Sequence, residues 1–268
     1  MTEAVMGGAR AAVAGRNRFY MWIAWTCLAI AVLGFVPTYF LPVAQGKFDA
    51  PPIVHIHGLV LFSWVVFFVA QTTLVAKGKV LAHRTWGVVG VSIITAMTFI
   101  VTWVVVMRIH AATVLGAPAD VVEGLKTFSW VTMGTLFLIV PAFIAAIANV
   151  KRPEIHKRLI VLITTSMLAA PIARWFLTFL APPADPNAPP LPPGVTAAPP
   201  IQVAVPPALV GDLVLLIAMA YDWRTRGRPH PVYLIGGAIL LLQQVTQPMV
   251  GHSALWQKVA TVIGRLAG

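Results

Sequence analysis

The chain has 268 residues, of which 59% are apolar and only 10% charged, with a mean hydropathy of +0.85 and a formal net charge of +11. A soluble domain carries about 25% charged residues, so a water-soluble enzyme is excluded. So is a disordered chain, which is poor in apolar residues. The single cysteine, Cys27, excludes a disulfide framework and any cysteine-based zinc or iron–sulfur site.

Residues 1–18 read as a cytoplasmic tail, and 1–16 of it as a small, disordered leader. An apolar stretch of about 20 residues crosses a bilayer as a helix. Seven such stretches follow, at 20–42, 53–76, 85–107, 127–150, 159–180, 203–221 and 231–250. The first is too long for a signal peptide and lacks a small-residue cleavage site. The sixth is the weakest: it is short, opens at Pro206-Pro207 and contains Asp212. Residues 19–251 are thus expected to form an all-α polytopic bundle. Between spans five and six, residues 181–202 are rich in proline and alanine, which predicts an extended, semi-rigid connector rather than a lid. The tail 252–268 places Leu255, Val259, Val262, Ile263 and Leu266 on one side and is expected to lie along the outer interface.

The positive charge follows from topology before any partner is invoked, and no nucleic-acid partner is expected. With the N-terminus inside, thirteen of the nineteen Lys and Arg residues fall in the tail and the loops after spans two, four and six. Cytoplasmic loops carry such an excess. The predicted orientation is N-in, C-out.

Residues three, four, seven or eleven apart share a helical face. In span two this aligns His57, Leu61, Trp64, Phe68 and Gln71, with His55 nearly opposite, so His55 and His57 form no metal clamp on a helix. In span three His83 shares a stripe with Gly87, Gly90, Ile94, Met97, Val101 and Arg108. In span five His156 aligns with Ile160, Ile163, Met167, Ala170 and Arg174. Each of these two stripes starts with a histidine on the cytoplasmic side and ends with an arginine near the outer side. The hairpins of spans two–three and four–five thus read as a degenerate repeat.

A charge in the hydrocarbon costs roughly 2.5–3.5 kcal/mol on insertion scales, so such residues face the bundle interior with partners. Asp212, Arg174, His57 and Gln247 share the outer half by depth. They are read either as a catalytic or binding site, with His57, Arg174 and Asp212 as its working residues, or as a structural Asp212–Arg174 pair. His83 and His156 share the inner leaflet. A haem b in a bundle needs two imidazoles at one depth and small residues beside them, and Gly87 and Gly90 lie on the His83 stripe. His83 and His156 are therefore the candidate cofactor and metal ligands, for haem b or alternatively copper. The competing reading is interfacial structure, since both lie beside Lys and Arg. P-loop, Rossmann, His-Glu-x-x-His and Gly-x-Ser-x-Gly motifs are absent.

Two segments carry a resemblance: His55-Ile56-His57-Gly58 through Gln71 to His83-Arg84, and Arg152-Pro153-Glu154-Ile155-His156-Lys157-Arg158 through Arg174-Trp175. Together they resemble a family of uncharacterised bacterial multi-pass membrane proteins, which implies the bacterial inner membrane and no assigned activity. The paired histidine hairpins resemble, more distantly, dihaem b-type cytochromes of the ascorbate-reductase kind. Those carry four ligand histidines in a four-helix core. Span four here has none, so one haem at most is implied. The expected function is a redox-linked, electron-transport membrane protein with an outer site for a quinone or small substrate. Two alternatives stay open: a transporter or channel for protons or a small polar solute, and an accessory subunit of a larger membrane complex.

Overall fold

The structure, a computed structural model, describes residues 3–181 and 189–267, with side chains from Arg18 onward. Residues 182–188 of the linker and the side chains of Arg10 and Arg16 lie outside it. The chain is 83% helical, and no strand occurs among the described residues. The helices are α1 (Glu3–Phe35), α2 (Leu41–Ala44), α3 (Pro52–Ala76), α4 (Val80–Val114), α5 (Ala119–Ala148), α6 (Pro153–Ser166) and α7 (Ala169–Phe179), followed by α8 (Val205–Gly211), α9 (Leu213–Arg226), α10 (Pro231–Val245), α11 (Gln247–Gly251) and α12 (Ala254–Gly264).

Six stretches are long and apolar enough to cross a membrane: Arg18–Ala44, Pro52–Ala76, Val80–Val114, Ala119–Ala148, Pro153–Phe179 and Ile201–Arg226. The seventh expected span is present as α10 and α11, parted at Thr246. The sixth stretch has 26 residues, a rise of about 39 Å, enough to cross fully. It includes the 3₁₀ turn Ile201–Ala204, which the sequence reading had assigned partly to the linker. The packing is inside-out relative to a soluble protein. Leu59, Phe99, Ile217 and Met249 point outward, while Arg158, Asp222, Thr164, Thr165, Gln244 and Gln247 are buried. Only lipid makes that arrangement favourable, because polar groups then seek one another inside. The chain is a multi-pass membrane protein.

Helix α1 packs on α3 and α7, α3 on α4, α5 on α4 and α6, and α10 on α6. Gly34 is what lets α1 and α7 cross closely: a Cβ there would lie 2.4 Å from the Pro171 carbonyl oxygen. Prolines set where helices give way, because each lacks the N–H that its i−4 carbonyl needs. Pro37 leaves the Leu33 carbonyl free beside a π turn, Val36–Phe40, and Trp175 Nε1 donates to that carbonyl at 3.0 Å. Pro171 and Pro248 deprive the carbonyls of Met167 and Gln244 in the same way, and α6/α7 and α10/α11 part there. Pro141 sits inside α5 without interrupting it.

Residues 191–198 of the linker are held against the outer end. Val195 is buried, Leu191 and Ala198 pack on the core, and Arg108 Nη2 donates to the Thr196 carbonyl at 3.2 Å. The C-terminal helix α12 docks on α4 and α5 through Trp256, Ala260 and Gly264, and leaves Leu255, Val259, Val262 and Leu266 exposed. Ser253 caps it, accepting from the Trp256 N–H at 3.2 Å.

Candidate functional site

Three groups of polar side chains are stacked along the bundle. The inner group is an ion network. Arg158 Nε donates to Asp222 Oδ2 at 2.7 Å, and its Nη2 pairs with Oδ1. Arg158 Nη1 also reaches the Glu154 backbone oxygen and Oε2, each at 2.7 Å. Lys157 and Arg226 complete the shell around Glu154, at 2.7 and 2.9 Å. The Arg158 guanidinium lies 5.7 Å from the centre of the Tyr233 ring. Arg158 and Asp222 are each 1% exposed. Arg158 is therefore not the loop cation that the charge count assigned to the inside. A buried bidentate pair of this kind fixes α6 against α9.

His83 and His156 lie at the same end, with ring centres 6.4 Å apart and planes at 77°. His156 Nδ1 is 2.9 Å from the Ala146 carbonyl, so Nδ1 carries the proton and Nε2 the lone pair. His83 Nδ1 is buried without a hydrogen-bond partner. Two imidazoles so placed suit one ion with nitrogen ligands at roughly 2 Å each. On the His83 stripe a Cβ at Gly90 would lie 2.8 Å from the Phe67 ring, while one at Gly87 would meet nothing within 4 Å. Among the described residues no group of three or more His, Cys, Asp or Glu side chains is placed to hold a metal ion.

The middle group surrounds Asp212. Arg158, Asp222 and Tyr233 fix an inner plane. From it, Leu168, Asp212 and Gln244 are each ten or eleven residues along their chains, about 15 Å of helix rise. That is near the middle of a hydrocarbon core about 30 Å thick. At this level the helix segments of spans five, six and seven meet end to end, at Met167-Leu168, Asp212 and Thr246, with the backbone still right-handed helical; Asp212 N–H donates to the Ala208 carbonyl and Thr246 N–H to the Leu242 carbonyl, each at 3.1 Å. Spans five and six touch there, since a Cβ at Gly211 would lie 3.3 Å from Leu168 Cβ and 3.6 Å from the Ala169 nitrogen. Gln244 Nε2 donates to Asp212 Oδ1 at 3.2 Å. Thr165 Oγ1, Gln244 Oε1 and Gln247 Oε1 are buried there without hydrogen-bond partners. Trp64 Nε1 donates to Thr164 Oγ1 at 3.2 Å.

The outer group holds His57, Arg108 and Arg174. The expected Asp212–Arg174 pair is absent: among the described residues all four ion pairs belong to the inner network. By rise, Arg174 stands about 24 Å above Arg158, well beyond the level of Asp212. The expected outer cluster therefore divides, with Arg174 toward the outer end and Asp212 with Gln244 at mid-depth. His55 is separate again, with its Nδ1 2.8 Å from the Tyr39 hydroxyl.

The sequence reading gave Asp222 and Glu154 no role. It expects Pro171 to kink span five without interrupting it, and the backbone at Met167 and Leu168 is right-handed helical. The fold and its stacked polar groups define a polytopic membrane protein with a polar interior. Compared with protein-family models, curated proteins and solved structures, the chain matches none.

Proposed function

We propose that the protein is a membrane carrier for protons or a small polar solute, with Asp212 as its mid-membrane working group. One observation carries this reading: an acidic side chain lies at mid-depth where three spans meet, hydrogen-bonded to Gln244, and buried polar atoms without partners accompany it. Ionisable residues within a membrane bundle mark substrate and proton paths. Gln244 orients the carboxyl. The free oxygens of Thr165, Gln244 and Gln247 supply acceptors for a solute or a file of water. The inner ion network closes the cytoplasmic end. The membrane in question is the bacterial inner membrane, as the family resemblance implies.

Cysteine accessibility tests the reading, and Cys27 is the one thiol to remove. In a Cys27→Ala background, Thr165→Cys should react with a small water-soluble thiol reagent, while Leu216→Cys on the lipid face stays inert. Equal inertness of both positions would contradict a polar path to Asp212.

A second reading keeps one observation in its favour, the 6.4 Å approach of His83 and His156. It is a redox-linked membrane protein holding a single copper ion between those rings. Metal analysis of the purified protein tests it: copper retained by the wild type and lost in His156→Ala supports it, and a metal-free wild type loaded with copper and washed clean rejects it.

A further inference from the structure

Helices α4 and α5 have 35 and 30 residues, and each is longer than a hydrocarbon core about 30 Å thick requires. Their outer ends therefore reach the headgroup level. Lys126 marks that boundary on α5. It stands twenty residues before Ala146, whose carbonyl meets His156 at the inner end, and twenty residues rise about 30 Å.

Helix α12 closes on α4 and α5 at this boundary. Trp256 Nε1 donates to the Lys126 carbonyl at 3.0 Å, and a Cβ at Gly264 would lie 2.5 Å from Ile109 Cγ2. The three helices leave a cavity of about 320 Å³ between them, within the range of about 300–1,000 Å³ that small-molecule sites occupy. Ile109, Val114 and Val122 give it apolar walls, and Lys126, His110 and Arg265 bring N–H donors from one helix each. The hydroxyls of Thr113 and Thr261, which also line it, donate within their own helices. Among the described residues no carboxylate lines the cavity, and Asp120 and Glu123, earlier on α5, stand outside it. On α4 the face that carries His110 exposes Phe99, Trp103, Met107 and Val114. The cavity thus continues toward the membrane centre as an apolar surface, which a water-borne anion would not use and an acyl chain would cover.

We propose that this cavity holds one anionic phospholipid of the outer leaflet, with its phosphate against Lys126, His110 and Arg265 and its acyl chains running inward over α4. Basic pockets between membrane helices recognise acidic headgroups in this way. The site stands apart from Asp212 and does not depend on the carrier reading.

Purified protein is exchanged into mixed detergent micelles holding equal amounts of phosphatidylglycerol and phosphatidylcholine, and the lipid retained is read by native mass spectrometry. The wild type should keep one phosphatidylglycerol in preference to phosphatidylcholine. Lys126→Gln and Arg265→Gln should each weaken that retention roughly fivefold. Val122→Trp fills the cavity with every charge in place and should lose the lipid as well. Lys258→Gln removes a charge from α12 outside this cavity and should retain it. Equal retention of the two lipids by the wild type overturns the proposal. So does a loss in Lys258→Gln that matches Lys126→Gln, or a lipid-free dimer, which would put a second copy of the chain on this face. Thermal unfolding checks that each variant folds. Should Lys126→Gln not fold, Lys126→Arg should keep the lipid and Val122→Trp carries the test.

Discussion

Gln244 donates a hydrogen bond to Asp212 at 3.2 Å, at the level where α8 passes into α9 and α10 into α11. The contact joins span seven to span six at mid-membrane. Replacing Gln244 by Leu removes the donor and leaves the carboxyl unsatisfied, at a cost of about 1–3 kcal/mol. Thermal unfolding in detergent should show the loss, and Gln244→Glu should not rescue it, because the second carboxyl repels the first.

Pro171 and Pro248 each withhold an N–H from a carbonyl at mid-depth. Pro171→Ala and Pro248→Ala restore a donor to Met167 and to Gln244. Each variant should hold or raise thermal stability while lowering the flux rate by about tenfold, equivalent to 1.4 kcal/mol. Unchanged flux with a more stable bundle would show that the two prolines serve packing alone.

The Arg158–Asp222 pair is the protein's most buried charge pair among the described residues. Asp222→Ala strands the guanidinium and should cost about 3–5 kcal/mol. Glu154 is half-exposed, and Glu154→Gln should cost about 0–1 kcal/mol. Parallel unfolding curves check the ranking, and comparable losses from the two would contradict it.

His230 caps α10, its Nδ1 accepting from the Val232 N–H at 3.2 Å. Burial first, then the charges of Arg158 and Arg226, hold its pKa below the ordinary 6.5. The folded protein therefore binds fewer protons than the unfolded chain as pH falls past that value, so stability drops toward acid and is fully present above it. Protonation also removes the capping lone pair. His230→Asn keeps a capping acceptor and should flatten the pH dependence between pH 7 and pH 5. His230→Ala should lower stability by about 1 kcal/mol at neutral pH.

The bundle was legible because hydropathy and helix length are local properties: each span announces itself in about twenty residues. The convergence of His83 and His156 was also legible, because loop charges place both at one end and each heads a stripe facing inward. The pairing of Asp212 was not. Depth alone allowed Arg174, but the two lie at different levels, and only the packing of α9 against α10 brings Gln244 to the carboxyl. Arg158 was misjudged for a similar reason. Its place in a run of basic residues looks like a loop, and nothing local shows that Asp222, 64 residues on, draws it inside. Of the two glycines on the His83 stripe, Phe67 from the preceding span covers Gly90 and leaves Gly87 open, a difference that no local pattern distinguishes.

Proton flux into liposomes is the most direct measurement of what Asp212 does. Purified wild type reconstituted with a trapped pH-sensitive dye should acidify the lumen under an imposed gradient well above protein-free vesicles, Asp212→Asn should fall to the vesicle baseline, and Asp212→Glu should keep part of the rate. Wild-type flux indistinguishable from baseline, or full flux in Asp212→Asn with equal incorporation, would contradict the carrier.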